Sequence, residues 1–245
     1  MCVFRVIFPI RTQSENRKMN FYAVGNHYPW GDYGEGVIQG YIWRVPFYME
    51  MCRDESRKIW FTDDDLKGFN YVIERLGPVV PDLVMNSSGM FVVNEKTKDA
   101  LLETFPEIQA EPLFSAKIVN MPWETWDLKA ELPPVAPFEG EPEGYVNGNE
   151  HSISASEKMG TLYRLILPKN PLMAELDACS QLTFFPDQWA DEHFLCVPYP
   201  SYTEPLGSRT IITEYAKNWL IDRELDKFLY FSKPLVRQRK SRECE

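Results

Sequence analysis

Phe91-Val92-Val93-Asn94-Glu95-Lys96-Thr97-Lys98-Asp99-Ala100-Leu101-Leu102 aligns without a gap on Thr210-Ile211-Ile212-Thr213-Glu214-Tyr215-Ala216-Lys217-Asn218-Trp219-Leu220-Ile221, 119 positions later. Each copy carries two β-branched residues suited to a strand, then Asn94 or Thr213, residue types that cap helices by accepting a backbone N–H. A Glu opens the helix, where it complements the positive terminus of the helix dipole, and a Lys follows within a turn. The segment therefore predicts strand, cap and helix twice. The expected fold class is α+β, with mixed sheets, a few helices and an internal pseudo-duplication. Chance matching of common residue types is the alternative. Two copies are too few for a solenoid, which stacks about three units or more. Nothing in the unit is chemically reactive, so it organises the chain and says nothing of catalysis.

Working outward, residues 1–80 read as a strand-rich N-terminal part, and 81–245 as an α+β region holding both copies (91–102 and 210–221), the whole forming one compact unit. Strands are expected over Val3–Phe8, Phe21–Val24 and Val37–Val45, with Gly31–Gly36 as turn material. Thr62-Asp63-Asp64-Asp65 resembles a capping box. Leu66, Phe69, Ile73 and Leu76 follow at helical spacing up to Gly77-Pro78, predicting a helix. A turn is expected at Asn86–Gly89, a strand at Leu113–Val119, and a long loop over 131–150, where Pro133, Pro134, Pro137 and Pro142 lie among Glu and Gly. Leu162–Leu167 reads as a strand and Leu172, Leu176 and Cys179 as a short helix. The second copy's helix is expected to run to about Leu225, and Phe228–Phe231 to form a last strand.

At 245 residues the chain can bury a substantial core. Aromatic residues make up 14% of it, more than a core of this size requires, which puts some rings at the surface. The net charge of −10 argues against nucleic-acid binding, which needs a basic stripe to displace counterions from phosphates. The basic cluster Arg237–Arg242 reads as a solvated end. Acidity favours solubility, and it also speeds association with a basic partner. Cys2, Cys52, Cys179, Cys196 and Cys244 form no CxxC pair and show no metal-ligand spacing, the pattern of reduced thiols in a cytosol. Val3–Pro9 is too short for a signal h-region, and no apolar run approaches the roughly 20 residues of a membrane span. The expectation is a soluble, cytoplasmic protein.

The candidates for chemistry are weak. Consecutive Asp63, Asp64 and Asp65 point in different directions and are explained by capping. Gly31-x-x-Gly34-x-Gly36 lacks the Lys and the following helix of a phosphate loop. His27, His151 and His193 are scattered. The group Asp191-Glu192-His193 near Cys196 reads as a surface histidine beside a structural cysteine, not as a nucleophile pair. No catalytic, cofactor-binding or metal-binding residue is assigned, and no cofactor is expected. Trp123-Glu124-Thr125-Trp126, with Tyr28-Pro29-Trp30 upstream, is more suggestive. Two tryptophans three apart on a helical turn share a face, as an interface site or as a core plug.

With both units in view, the chain resembles a family of bacterial polymorphic-toxin immunity proteins. The resemblance rests on Pro81-Asp82, on Val92-Val93-Asn94-Glu95 with Lys98 and Leu101, and on Ile211-Ile212-Thr213-Glu214 with Lys217, Trp219 and Leu220. It covers residues 80–120 and 205–231, under a third of the chain, and residues 1–80 lie outside it. What it implies is a cytosolic antidote that binds one cognate toxin domain and blocks it sterically, without turnover. Under that reading the expected partner-binding residues are Trp123 and Trp126 with the acidic loop at Glu139, Glu141 and Glu143. Homo-oligomerisation is left open. Two alternatives come from other classes: an enzyme with a dispersed carboxylate/His site acting on a modified nucleotide or protein, and an adaptor with an aromatic binding face.

Overall fold

The structure, a computed structural model, describes residues 19–30, 32–54, 58–86, 89–131, 133–134, 142–170, 174–176, 182–198 and 208–236. Strand β1 (Phe21–Asn26) forms as expected. The next stretch departs from expectation. Residues Asp32–Ile38 form helix α1 instead of a turn, strand β2 is confined to Tyr41–Arg44, and helix α2 (Val45–Asp54) begins at once. The cause lies far along the chain, in strand β3 (Tyr71–Leu76). Arg75 of β3 is fully buried, and its Nη1 donates to the carbonyls of Ile38 (2.8 Å) and Gln39 (3.2 Å), orphan acceptors at the end of α1. Gly40 closes that end at φ +83°, where an added Cβ would lie 2.5 Å from the Cβ of Arg75. Three more carbonyls, of Gly77 (3.1 Å), Val79 (2.7 Å) and Val37 (3.5 Å), also accept from the guanidinium. Burial pushes the Arg75 pKa down to about 9, which leaves it charged at neutral pH.

The helix expected from Thr62 to Leu76 is also corrected. The capping bond does form, Thr62 N and Oγ1 each donating to Asp65 Oδ2 at 2.7 Å. The backbone then runs through separate three-residue turns, reaching φ +91° at Gly68. Ile73 and Leu76 belong to β3, which is buried along its whole length. Val37 and Ile38 of α1 pack with Ile73, while Tyr48 and Cys52 of α2 pack with Val72. A strand covered on both faces loses its alternation, and its apolar residues can imitate helical spacing.

Strands β4 (Leu83–Met85) and β5 (Phe91–Asn94) form a hairpin whose turn is held by the Gly89 N–H donating to the Asn86 carbonyl at 2.9 Å. Helix α3 (Glu95–Thr104) and strand β6 (Gln109–Val119) follow. Part of the expected 131–150 loop is helical: α4 (Pro142–Gly148) starts on a proline, whose missing N–H costs nothing in the first turn. Helix α5 (Ile153–Met159) is capped by the Ser152 hydroxyl and leads to strand β7 (Leu162–Ile166). The short helix expected near Leu176 is instead strand β8 (Ala174–Leu176), paired antiparallel with β9 (Leu182–Phe184). Strands β10 (Phe194–Pro198) and β11 (Ser208–Thr213), helix α6 (Glu214–Ile221), and strands β12 (Leu229–Ser232) and β13 (Leu235–Val236) complete the order. The second copy's helix thus stops four residues short of Leu225. Leu172, Cys179, the expected strand Val3–Phe8 and the basic cluster Arg237–Arg242 lie outside the described residues.

The α+β architecture has a six-stranded sheet in the order β2-β3-β6-β7-β5-β4, a four-stranded sheet β10-β11-β1-β12 and a small sheet β13-β9-β8. Strands of residues 19–80 enter both larger sheets, β1 in one, β2 and β3 in the other. The repeated units occupy matching places. The run β4-β5-β7-β6 and the run β10-β11-β1-β12 are antiparallel at every step, and each is built as hairpin strand, repeat strand, inserted strand and post-helix strand. The inserted strand comes from opposite sides of its unit in sequence, β7 after the first and β1 before the second.

The correspondence extends to side chains. Asn94 Oδ1 accepts from Thr97 N (2.9 Å) and Thr213 Oγ1 from Ala216 N (3.3 Å), each cap worth about 1 kcal/mol. Tyr163 sits opposite Val93, and Tyr22 opposite the equivalent Ile212. Lys98 Nζ lies 4.1 Å over the Tyr163 ring and Lys217 Nζ 4.2 Å over Tyr22. Each tyrosine hydroxyl donates at 3.4 Å, to Glu95 in one unit and Glu214 in the other. Leu101 and Leu220 are both fully buried, in one core that also takes Phe91, Val93, Phe194 and Ile212. Thr210 Oγ1 donates to the Gly89 carbonyl at 3.3 Å, joining the two units beside that core. Cys52 and Cys196 are buried cysteines outside any disulfide.

Candidate functional site

Three connections that follow secondary-structure elements meet beside this core and enclose a recess of about 260 Å³. The first is the turn after β3. Gly77 takes φ +79°, and its N–H donates to the Val119 carbonyl at 2.6 Å, sending Val79, Val80 and Pro81 along the recess wall into β4. The second is the 3-10 turn Trp123–Thr125 after β6, whose Trp123 Nε1 donates to the Val79 carbonyl at 3.0 Å. The third is the end of α6. There Leu225 N donates to the Leu220 carbonyl (3.0 Å) and Glu224 N to the Ile221 carbonyl (2.9 Å), a Schellman motif. Its left-handed position is usually glycine, yet Glu224 holds it at φ +57°.

The buried and half-buried lining is apolar, with Val80, Leu83, Leu128, Leu225 and Phe228, and its exposed members are charged. Asp82 accepts from Asn94 Nδ2 at 2.6 Å, so the cap of α3 also fixes this carboxylate. Glu124 and Glu224 are exposed and have no side-chain partner among the described residues. Lys227 is the one basic group lining the recess, and its Nζ lies 5.1 Å over the Phe228 ring. The recess therefore joins the N-terminal cap of the first unit to the C-terminal cap of the second.

Of the residues proposed from sequence, Trp123 lines this recess but is 4% exposed, so it contributes wall and packing more than contact surface. Trp126 caps the 3-10 turn, its N–H donating to the Trp123 carbonyl at 3.1 Å, and both tryptophans pack with the same apolar cluster. Trp126 is half-buried against Trp30, 6.1 Å between centroids, and Trp30 Nε1 donates to the Ala130 carbonyl at 2.8 Å. Tyr28 packs 6.3 Å from Phe228 and donates to the Met85 carbonyl. Of the upstream aromatics, Trp30 thus meets Trp126, whereas Tyr28 packs on Phe228. Glu143 is half-buried on α4, while Glu139 and Glu141 lie outside the described residues. Glu224, Lys227 and Phe228 carried no local signal, and Asp82 entered the sequence reading only through the family resemblance.

The other titratable groups are held by structure. The Cys196 side chain enters the core with Phe194, whereas His193 shares a 2.9 Å hydrogen bond with Thr213 Oγ1 and packs 5.0 Å from Tyr215. Asp64 pairs with Lys67 at 2.7 Å, and the hydrogen bonds from Thr62 hold the Asp65 pKa below its usual value. No group of three or more His, Cys, Asp and Glu able to hold a metal ion occurs among the described residues. Likewise, no helix among them is long and apolar enough to cross a membrane. Tyr48 donates to the fully buried Glu74 at 2.7 Å, and burial, then Glu74, keep the phenol protonated. His151 stacks at 3.9 Å under Trp60 and accepts from Ile118 N at 3.1 Å, which places its proton on Nε2. Burial and then Lys117 lower its pKa.

Compared with known proteins, the chain matches no family model, no curated protein and no solved structure.

Proposed function

We propose that the chain is a binding protein that neutralises a cognate toxin domain by covering it, as the resemblance to polymorphic-toxin immunity proteins implies. The observation that carries this reading is the recess. It offers apolar area and unpaired carboxylates, and among the described residues its lining includes no thiol, hydroxyl or imidazole. Such a lining supplies contact and charge, the ingredients of recognition. Two further features support it. Large rings stand on the surface, Phe47, Trp60, Tyr215 and Tyr230 each being about half exposed, and the net charge of −10 would steer a basic partner. In this reading the protein acts in the cytoplasm, at one copy per toxin domain, with no cofactor.

The test is co-expression with toxin domains encoded beside its gene, followed by purification of any complex and titration of toxin activity. The expected result is protection of growth and loss of toxin activity at one molar equivalent. Inactivation at a small fraction of an equivalent would reveal turnover and favour the enzyme. A stable complex with a protein that harms no cell would favour the adaptor.

A further inference from the structure

The size and charge of the recess together select an occupant. At about 260 Å³ it is smaller than the roughly 300–1,000 Å³ of sites that enclose a drug-sized ligand, and it suits one or two side chains. Its floor is aliphatic and aromatic, while its rim holds Asp82, Glu124 and Glu224 against the single cation Lys227. Lys227 makes no ion pair with any of these carboxylates, because its ammonium sits over the Phe228 ring. Glu124 comes from the turn after β6 and Glu224 from the end of α6, so two unpaired charges approach the opening from separate elements.

We infer that the recess takes a cationic, amphipathic segment of a partner polypeptide. An aliphatic side chain, or the methylene stem of a Lys or Arg, lies on Leu128, Leu225 and Phe228, and the cationic heads reach Glu124 and Glu224. Long basic side chains have this division built in, with an apolar stem and a charged tip. Apolar contact provides the hold, and the rim charges reject acidic segments and speed encounter. This assignment rests on the reading of the recess as a binding site, and it is independent of the partner's being a toxin.

The experiment titrates the full chain with three peptides while following the Trp123 indole N–H by NMR: acetyl-Lys-Leu-Lys-Leu-Lys-amide, its Lys/Gly counterpart and its Glu/Leu counterpart. The Lys/Leu peptide is expected to shift the Trp123 signal saturably. Its affinity should fall at least tenfold when Gly replaces Leu, and at least tenfold in the double variant Glu124→Gln, Glu224→Gln. The Glu/Leu peptide should leave the signal unmoved. Both glutamates are exposed, and Gln keeps their shape, so the variant is expected to fold with a melting temperature no lower than the parent's. Equal binding by the variant, equal binding of the Lys/Gly peptide, or shifts confined to Trp60 would overturn the inference. So would spermidine displacing the Lys/Leu peptide at equal concentration, since a small polyamine would then suffice. Peptide binding at Trp123 with no toxin neutralised removes the toxin reading and leaves this one. Undiminished neutralisation by the double variant, together with equal peptide binding, removes this one and leaves the toxin reading.

Discussion

Replacing Glu224 with glycine should make the protein more stable and a poorer binder at once. Glu224 holds the left-handed position of the α6 Schellman motif at φ +57°. Left-handed backbone costs an ordinary L-residue about 1–2 kcal/mol, which glycine avoids. Glycine in turn loses more chain entropy on folding, about 0.5–1 kcal/mol, so the net gain is about 0.5–1 kcal/mol. Removing a negative charge from a helix C-terminus acts in the same direction. In a chain of 245 residues this corresponds to a melting temperature about 1–4 °C higher. Differential scanning calorimetry reads the shift, and Glu224→Gln is the control, since it removes the charge and keeps the strained backbone. Glu224→Gly should raise the melting temperature by more than Glu224→Gln does, and both should weaken the Lys/Leu peptide alike. A melting temperature for Glu224→Gly at or below that of the parent would refute the account of stored backbone strain. A gain in stability with undiminished peptide binding would separate the carboxylate from recognition.

Leu101→Ala and Leu220→Ala should each cost about 2–5 kcal/mol in urea unfolding, because both side chains are fully buried in the shared core. A near-zero loss at either position would break the equivalence of the two units. Gly77→Ala should destabilise by more than about 1 kcal/mol, since φ is +79° and the new Cβ would meet the Met121 carbonyl at 2.3 Å and the Trp123 ring at 2.8 Å. A displaced Trp123 indole signal should accompany the loss, and its absence would place the strain elsewhere. The lowered pKa of His151 means that the unfolded chain binds the proton more tightly, so its contribution is complete above about pH 6.5 and is lost as pH falls toward the folded pKa. Urea midpoints across that range should therefore decline less steeply toward acid in His151→Gln than in the parent. Parallel profiles would contradict the lowered pKa.

The repeated unit was readable from sequence because its determinants are local. Asn94 and Thr213 bond three residues ahead, and Leu101 and Leu220 lie two turns down the same helices. Helix α1 was not readable, because the group that satisfies its last carbonyls, Arg75, is remote in sequence. Strand β3 was misread because burial on both faces erased the alternation that marks a strand. The recess was the least legible of all. It joins Asp82, Glu124 and Glu224, which share no local pattern, and it depends on a left-handed glutamate where a glycine would have announced the helix end. Trp123 gave the one local hint, and its placement depends on Gly77, a residue that sequence alone assigned to a helix terminus.

The placement of β1 fixes an order of events during synthesis. The first four-stranded set is drawn from Leu83 to Ile166 and is complete once that stretch has left the ribosome. The second set cannot close then, because Tyr22 and its partner Glu214 are 192 positions apart. At about 5–20 residues per second β1 waits roughly 10–40 s for its neighbours, with the ladder groups of Phe21–Val24 unpaired. Over the later part of that interval Phe91, Val93 and Leu101 face a core that lacks Ile212, Leu220 and Leu229. A nascent or truncated chain ending before β11 therefore presents an apolar face and an open strand together, the combination that recruits chaperones and seeds aggregation. Such a fragment would be a hazard to the cell and not a half-strength version of the protein.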